Sequence, residues 1–245
     1  MNQLTLPNLT APYRLKVVQD NDPVSPREWC NLGTMVCWHR NYTLGDEQPK
    51  QYPGEYRLAM AERFEPGLQE RLERAMERRF SVTSPQRDVD EYLIEAVDKV
   101  LARHIIELPL YLYDHSGITM RTSAFSCPWD SGQVGFIYVP IKQIKAEYGW
   151  KVLTKARRQR IYDYLTNEVK AYDDYLTGQV YGFELQQWNG VEWEEEDNCY
   201  GFYGDALNIH SELAPATCFT LEQVKSAMRN LNQWVYNTPD AADAA

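Results

Sequence analysis

VYGFELQQWNGVEWEEEDNCYGFYG, residues 180–204, holds two runs of aromatic and polar residues joined through Asn189-Gly190. Asn-Gly between two such runs is the strongest short-range signal for a β-hairpin, because both residues tolerate the positive φ that a tight turn demands. The spacing therefore predicts strands over VYGFELQQW and around NCYGFYG, with Tyr181-Gly182-Phe183 facing Tyr200-Gly201-Phe202 across the hairpin. Adjacent antiparallel strands need no crossover helix, so this one stretch tilts the whole chain toward an antiparallel sheet.

Upstream, RLKVVQD and TMVCWHR read as strands, as do LPLYLYD, TMRTSAF and GQVGFIYVPI within residues 108–141. Helices are written between them. Leu58, Ala61, Leu68, Leu72 and Met76 give a broken apolar stripe in which Pro66 opens a second helix. Val89, Tyr92, Leu93, Ala96, Val97, Val100 and Leu101 recur at helical spacing, with Asp88 or Ser84 as the expected cap. Residues 154–176 form another helix, ending before Gly178, and Thr220 to Gln223 begins a capping-box helix that runs on through Val235. Strands and helices mix without a βαβ rhythm. The expected fold class is α+β, a largely antiparallel sheet with several packed amphipathic helices, in one domain over residues 14–236 with an N-terminal arm (1–13) and a disordered tail (237–245).

The totals constrain function. Of 245 residues, 44% are hydrophobic and 24% charged, a balance that builds a core. Tyr is plentiful at 17, with 7 Trp and 7 Phe, rings that suit half-buried sheet faces and contact surfaces. The formal charge of −10 counts against a direct grip on nucleic acid, which needs a basic footprint. The one concentrated positive patch is Lys155, Arg157, Arg158 and Arg160, at the start of the 154–176 helix. Arg71, Arg74, Arg78 and Arg79 instead interleave with glutamates and read as a salt-bridged solvated face. Five cysteines without a CxxC pair argue against a zinc ribbon or a disulfide framework, and predict mostly buried thiols. No secretory leader or apolar span is visible, so the expectation is a cytoplasmic protein with no membrane contact. Nucleotide-loop glycine motifs are absent and the four histidines are scattered, so no cofactor and no metal are expected; a long-range site from Cys199, His210 and Cys218 is the remaining metal possibility. Asp20 and Asp22 resemble the opening of a calcium loop without its glycine or closing Glu, and read as turn residues.

Two stretches carry candidate sites. In LYLYDHSGITMRTSAFSCPWDSGQVGFIYV, residues 110–139, Cys127 is a nucleophile candidate, His115 its base, and Asp114 or Asp130 the group that orients the ring, with Ser116 or Ser131 as a hydroxyl variant. The same residues are also good turn chemistry: Asp and Ser bond backbone amides, and Gly supplies positive φ. In the hairpin, Glu192, Glu194, Glu195, Glu196 and Asp197 flank Trp193, between Trp188 and Tyr200. Carboxylates beside rings make a workable surface for a basic groove on another protein. Trp129 and Asp130, with Asp114 and His115, form a second candidate surface.

Several blocks, DNDPVSPREWCNLGTMVCWHRNYTLGD, LPLYLYDHSGITMRTSAFSCPWDSGQVGFIYV, EVKAYDDYLTGQVYGFEL and DNCYGFYGD, occur in order over residues 14–205. In them the chain resembles an uncharacterised family of bacteriophage and mobile-element proteins. The family has no assigned reaction to transfer. What the resemblance implies is context: an accessory viral protein, acting in the cytoplasm of an infected bacterium, whose partner is a host protein or protein–nucleic-acid complex of a defence system such as CRISPR or restriction. That expectation ranks inhibition by binding ahead of two alternatives, a thiol-dependent hydrolase or transferase centred on Cys127 and His115, and a protein that sequesters a nucleotide signal.

Overall fold

Alternation of side chains along a strand decides which residues a sheet buries, and here it builds two sheets, each with its own core. The computed structural model describes residues 12–204 and 219–237. The chain divides into two compact units, residues 1–28 with 171–245, and residues 29–170. One boundary, between Lys170 and Ala171, falls inside the helix over Lys155–Leu176, and the other follows Glu28.

In the first unit, strand β1 (Tyr13–Gln19) lies between β6 (Val180–Trp188) and β8 (Trp234–Asn237), and β7 (Trp193–Tyr203) pairs with β6, giving the antiparallel order β7-β6-β1-β8. Tyr13, Leu15 and Val17 alternate inward with Phe183 and Leu185. They pack with Phe219 and with Val224, Ala227 and Met228 of helix α6 (Leu221–Arg229). Tyr13, expected in the arm, is thus a core residue of the first strand.

The capping box forms as read: the Thr220 hydroxyl accepts from the Gln223 backbone N–H at 3.4 Å. The helix it opens is shorter than the sequence suggested. It stops at Arg229, Asn232 takes φ 66°, and Trp234–Asn237 becomes an edge strand, so Val235 joins the core from a strand and not from a helix. The apolar spacing of Leu231 and Val235 fits both periods, and the local Asn230-Leu231-Asn232 turn decides between them.

In the second unit, β2 (Thr34–Cys37), β5 (Ser131–Pro140), β3 (Ile105–Asp114) and β4 (Ile118–Arg121) form an antiparallel sheet in the order β2-β5-β3-β4. Val36, Ile105 and Phe136 face a core filled by Tyr56, Met60 and Ala61 of α1 (Pro53–Phe64), Leu68 and Leu72 of α2 (Leu68–Arg79), and Val97, Val100 and Leu101 of α3 (Gln86–His104). Ile137 points the other way, and with Leu165 of α5 (Lys155–Leu176) it closes around Gly33. Gly135 is required on β5: a Cβ there would lie 1.9 Å from the Val36 carbonyl oxygen.

The α+β class and the largely antiparallel pairing stand as read. Local details differ. Pro85, not Ser84 or Asp88, occupies the cap position of α3, because the Ser84 hydroxyl turns back to accept from Ser81 N–H, and Asp88 sits in the first turn, where a negative charge suits the helix dipole. Strand β4 ends at Arg121, whose guanidinium folds back onto the carbonyls of Ser123 and Ala124. An eight-residue helix, α4 (Ile141–Tyr148), follows β5 directly and closes on Gly149 at φ 64°. No helix among the described residues is long and apolar enough to cross a membrane.

Candidate functional site

Two turns bring the polar residues of the 110–139 stretch onto one rim of the second unit's sheet. The β3–β4 turn holds Ser116 at φ 57° and Gly117 at φ 151°, closed by the His115 N–H donating to the Gly117 carbonyl at 3.0 Å. The segment before β5 is pinned beside it, since the Asp114 N–H donates to the Asp130 carbonyl at 2.8 Å and the Ser131 hydroxyl to the Cys127 carbonyl. Asp130 is the hub. Its Oδ2 lies 3.4 Å from His115 Nδ1 and 3.8 Å from the Cys127 sulfur. No hydrogen bond joins the Cys127 thiol to the His115 ring. The order is thiol, carboxylate, imidazole, whereas nucleophile activation places the base against the sulfur. The His115 side chain is 64% exposed, so nothing excludes water from it.

Asp114, Asp130 and Ser131 line an open groove of about 500 Å3, together with His39, Arg40 and Trp129. His39 Nδ1 accepts from the backbone N–H groups of Asn41 and Tyr42 at 3.3 and 3.2 Å, which curls the chain out of β2 after Cys37. Tyr42 donates to Asp114 Oδ1 at 3.3 Å, and the negative charge of Asp114 raises the phenol above its ordinary pKa. Trp129 stands 90% exposed at the lip. The geometry brings His115, Asp130 and Cys127 together through the carboxylate, and offers an exposed ring beside two carboxylates.

The hairpin of the first unit forms where Asn189-Gly190 placed it, with Gly190 at φ 99° and the Asn189 side-chain oxygen accepting from Val191 and Glu192 N–H at 2.8 and 2.9 Å. Strand β7 starts earlier than its NCYGFYG centre, taking in Glu194, Glu195, Glu196 and Asp197 on the sheet's outer edge and leaving Glu192 in the turn. Glu192, Glu194, Glu195, Glu196 and Asp197 are all exposed; Glu194 accepts from Asn189 and Glu195 from Asn198, both at 2.6 Å. The two YGF triplets do meet: Tyr181 pairs with Phe202, the rings of Phe183 and Phe202 lie 5.9 Å apart, and an irregularity at Gly201 swings the Tyr200 ring over Gly182.

Trp193 turns to the sheet face opposite α6. There Arg14 of β1 sits between two rings, 4.6 Å from Trp193 and 4.1 Å from Trp234, while its Nε donates to Gln186 at 2.8 Å. Trp188 and Tyr236 flank Trp193 at 5.5 and 5.8 Å, and Lys16 pairs with Glu184 at 2.6 Å. Sequence reading found Trp193 and the carboxylates but not Arg14, Trp234 and Tyr236, which arrive from strands distant in the chain.

Of the thiols, Cys37 is buried, but Cys30 and Cys199 are exposed and Cys127 is half-buried, against the expectation of mostly buried thiols. Cys199 falls on the edge strand and Cys30 in a loop, so neither has a core to enter. Cys218 and His210 lie outside the described residues, as do the arm up to residue 11 and the tail beyond Asn237. Among the described residues no three His, Cys, Asp or Glu side chains are grouped to hold a metal ion. The Asp22 N–H donates to Asp20 Oδ1 at 3.1 Å, the turn role read for that pair. No family model, curated protein or solved structure matches the chain.

Proposed function

We propose that this chain is a phage-encoded accessory protein that binds and blocks a host protein, of a defence complex that handles nucleic acid, with β7 and its aromatic neighbours as the docking surface. The observation that carries this reading is the juxtaposition on one hairpin of five exposed carboxylates with Trp188 and Trp193, the latter packed against Tyr236 of β8. Rings supply contact area at little entropic cost, and the carboxylates steer a basic partner and fix its orientation. The resemblance to mobile-element proteins supplies the setting, the cytoplasm of the infected cell. Trp129 and Asp130 offer a second contact point on the other unit.

An edge strand also needs charge for its own sake, to stop it pairing with other edges. The test separates these roles. Lysine protects an edge at least as well as glutamate, so Glu192→Lys, Glu196→Lys and Asp197→Lys together keep the fold while reversing the field. Affinity capture from host lysate should retain a specific partner with the wild-type chain, and lose it at least about tenfold with the triple variant. Equal recovery of that partner by both proteins would overturn the reading. Cys127→Ala should leave capture and inhibition intact; loss of function there, with the fold preserved, would favour the thiol enzyme instead.

A further inference from the structure

Residues 141–160, IKQIKAEYGWKVLTKARRQR, hold seven Lys or Arg and one acidic residue, Glu147, in a chain whose formal charge is −10. They form α4, its Gly149 turn and the first turns of α5. Lys142, Lys145, Lys151, Lys155 and Arg160 are exposed, and Arg157 and Arg158 half-buried. Among the described residues none of the seven is in an ion pair. The same unit does the opposite elsewhere: Arg74 pairs with Glu70, Arg87 with Glu91, Lys99 with Glu95, and Arg103 and Arg71 with Glu65. Carboxylates are plentiful in this chain, and here they are kept away.

Folding gains nothing from that arrangement. The first turn of α5 carries Lys155, Arg157 and Arg158 and no acidic side chain, although the dipole makes that end already positive. Arg157 and Arg160 are instead placed by rings: Tyr148 stacks on Trp150 at 4.5 Å, Arg157 lies 4.9 Å over Trp150, and Arg160 lies 5.5 Å over Tyr148. Arg157 also donates to the Val152 carbonyl at 2.7 Å. A ring face orients a guanidinium without cancelling its charge, so its remaining N–H edge is left for an anion.

We infer that this surface binds the phosphodiester backbone of nucleic acid. Several cations spread over two helices fit a chain of phosphates better than one small anion. An anionic membrane is the weaker fit, since surface-lying helices turn an apolar face outward, and Ile144 of α4 is fully buried. The net charge had counted against nucleic acid, but it is an average over the chain, and backbone recognition requires only a local footprint.

The test uses the purified full chain and fluorescence anisotropy with labelled single-stranded RNA, single-stranded DNA and duplex DNA of about 20 nucleotides, across a salt series. It needs no host partner, so it fails or succeeds independently of the docking role of β7. The expected result is binding of at least one oligonucleotide with Kd of about 10⁻⁴ to 10⁻⁶ M near physiological salt, weakening steeply as salt rises. Lys151→Glu, Lys155→Glu and Arg158→Glu together spare the ring-stacked arginines; they should weaken binding at least about tenfold and flatten the salt slope by about 0.7 for each phosphate of a single strand that is no longer neutralised. Lys151→Ala with Lys155→Ala, both exposed, gives a milder second variant with the same sign. Reversal of Glu192, Glu196 and Asp197 to Lys should not weaken it. Absence of binding to all three oligonucleotides at low salt, unchanged affinity in both basic-patch variants, or patch-dependent binding to phosphatidylserine vesicles but not to nucleic acid would each overturn the inference.

Discussion

Each unit contains a four-stranded antiparallel sheet, yet the two sheets treat their faces differently. That of the second unit has Val36 and Phe136 against α1–α3 on one side and Ile137 against Leu165 of α5 on the other. That of the first unit packs α6 on one face, and on the other presents Arg14, Lys16, Trp193, Trp234 and Tyr236. Where a sheet is covered on both sides, its polar chemistry is pushed to rims and to the helices outside. On the first unit's sheet, rings and charges of the described residues share the face opposite α6. Exposed polar and aromatic chemistry accordingly resides in the hairpin and the Arg14 face of one unit, and in the turns and outer helices of the other.

The largest expected effect contrasts two glycines. Gly135→Ala would drive a Cβ to 1.9 Å from the Val36 carbonyl oxygen, and neither backbone can move without parting β2 from β5, so a loss above about 3 kcal/mol in urea unfolding is expected. Gly182→Ala meets the Tyr200 ring first, at 2.3 Å, and that half-exposed side chain can swing into solvent, for a loss of about 1 kcal/mol. Equal losses at both sites would remove the contrast between the two sheets.

A smaller effect separates paired from unpaired cations in the second unit. Arg57 donates to both oxygens of Glu107, at 2.7 and 2.9 Å, and to Asp98 at 2.8 Å, with its own side chain 21% exposed. Arg57→Ala strands two carboxylates over an apolar rim that includes Trp38 and Phe136, and should lower stability by about 2 kcal/mol. Ala at Lys155, an exposed site without an ion-pair partner, should change it by no more than about 0.5 kcal/mol. A comparable loss at Lys155 would mean that the basic segment is a structural necessity.

Much of this architecture was readable from local signals that tertiary packing did not override. Asn189-Gly190 set the hairpin, Pro66 divided α1 from α2, and the spacing from Val89 to Leu101 marked α3. What escaped was non-local. Arg14 meets Trp193 and Trp234 only because β1 lies between β6 and β8, a strand order no window of sequence contains. Cys127, Asp130 and His115 were legible as a cluster, but not their order, which depends on the Asp114–Asp130 backbone bond. Helix α4 escaped because eight residues between Pro140 and Gly149 are too few for periodicity to separate from the end of a strand.

The smallest expected effect is the response to acid, and it falls on the second unit. Backbone N–H groups of Gln69 and Gly67 hold Glu62 below the ordinary carboxylate value of 4.5; Arg103 and His104 do the same for Glu65, and Lys99 for Glu95. A carboxyl that holds its proton less tightly when folded than when unfolded adds stability above the unfolded value, and that contribution disappears as pH falls through the folded one. Glu62 ties the α1–α2 turn, Glu65 joins α1 to α3, and Glu95 lies within α3, so the loss concentrates in these helices. The hairpin of the first unit instead carries five exposed like charges, Glu192 in its turn and Glu194, Glu195, Glu196 and Asp197 on β7. Hydrogen exchange followed from about pH 5 to pH 3 should show protection falling first in α1–α3 while β1 and β6 hold. Protection lost first in β6 and β7 would show that the hairpin's carboxylates, and not those of the helices, hold the chain together in acid.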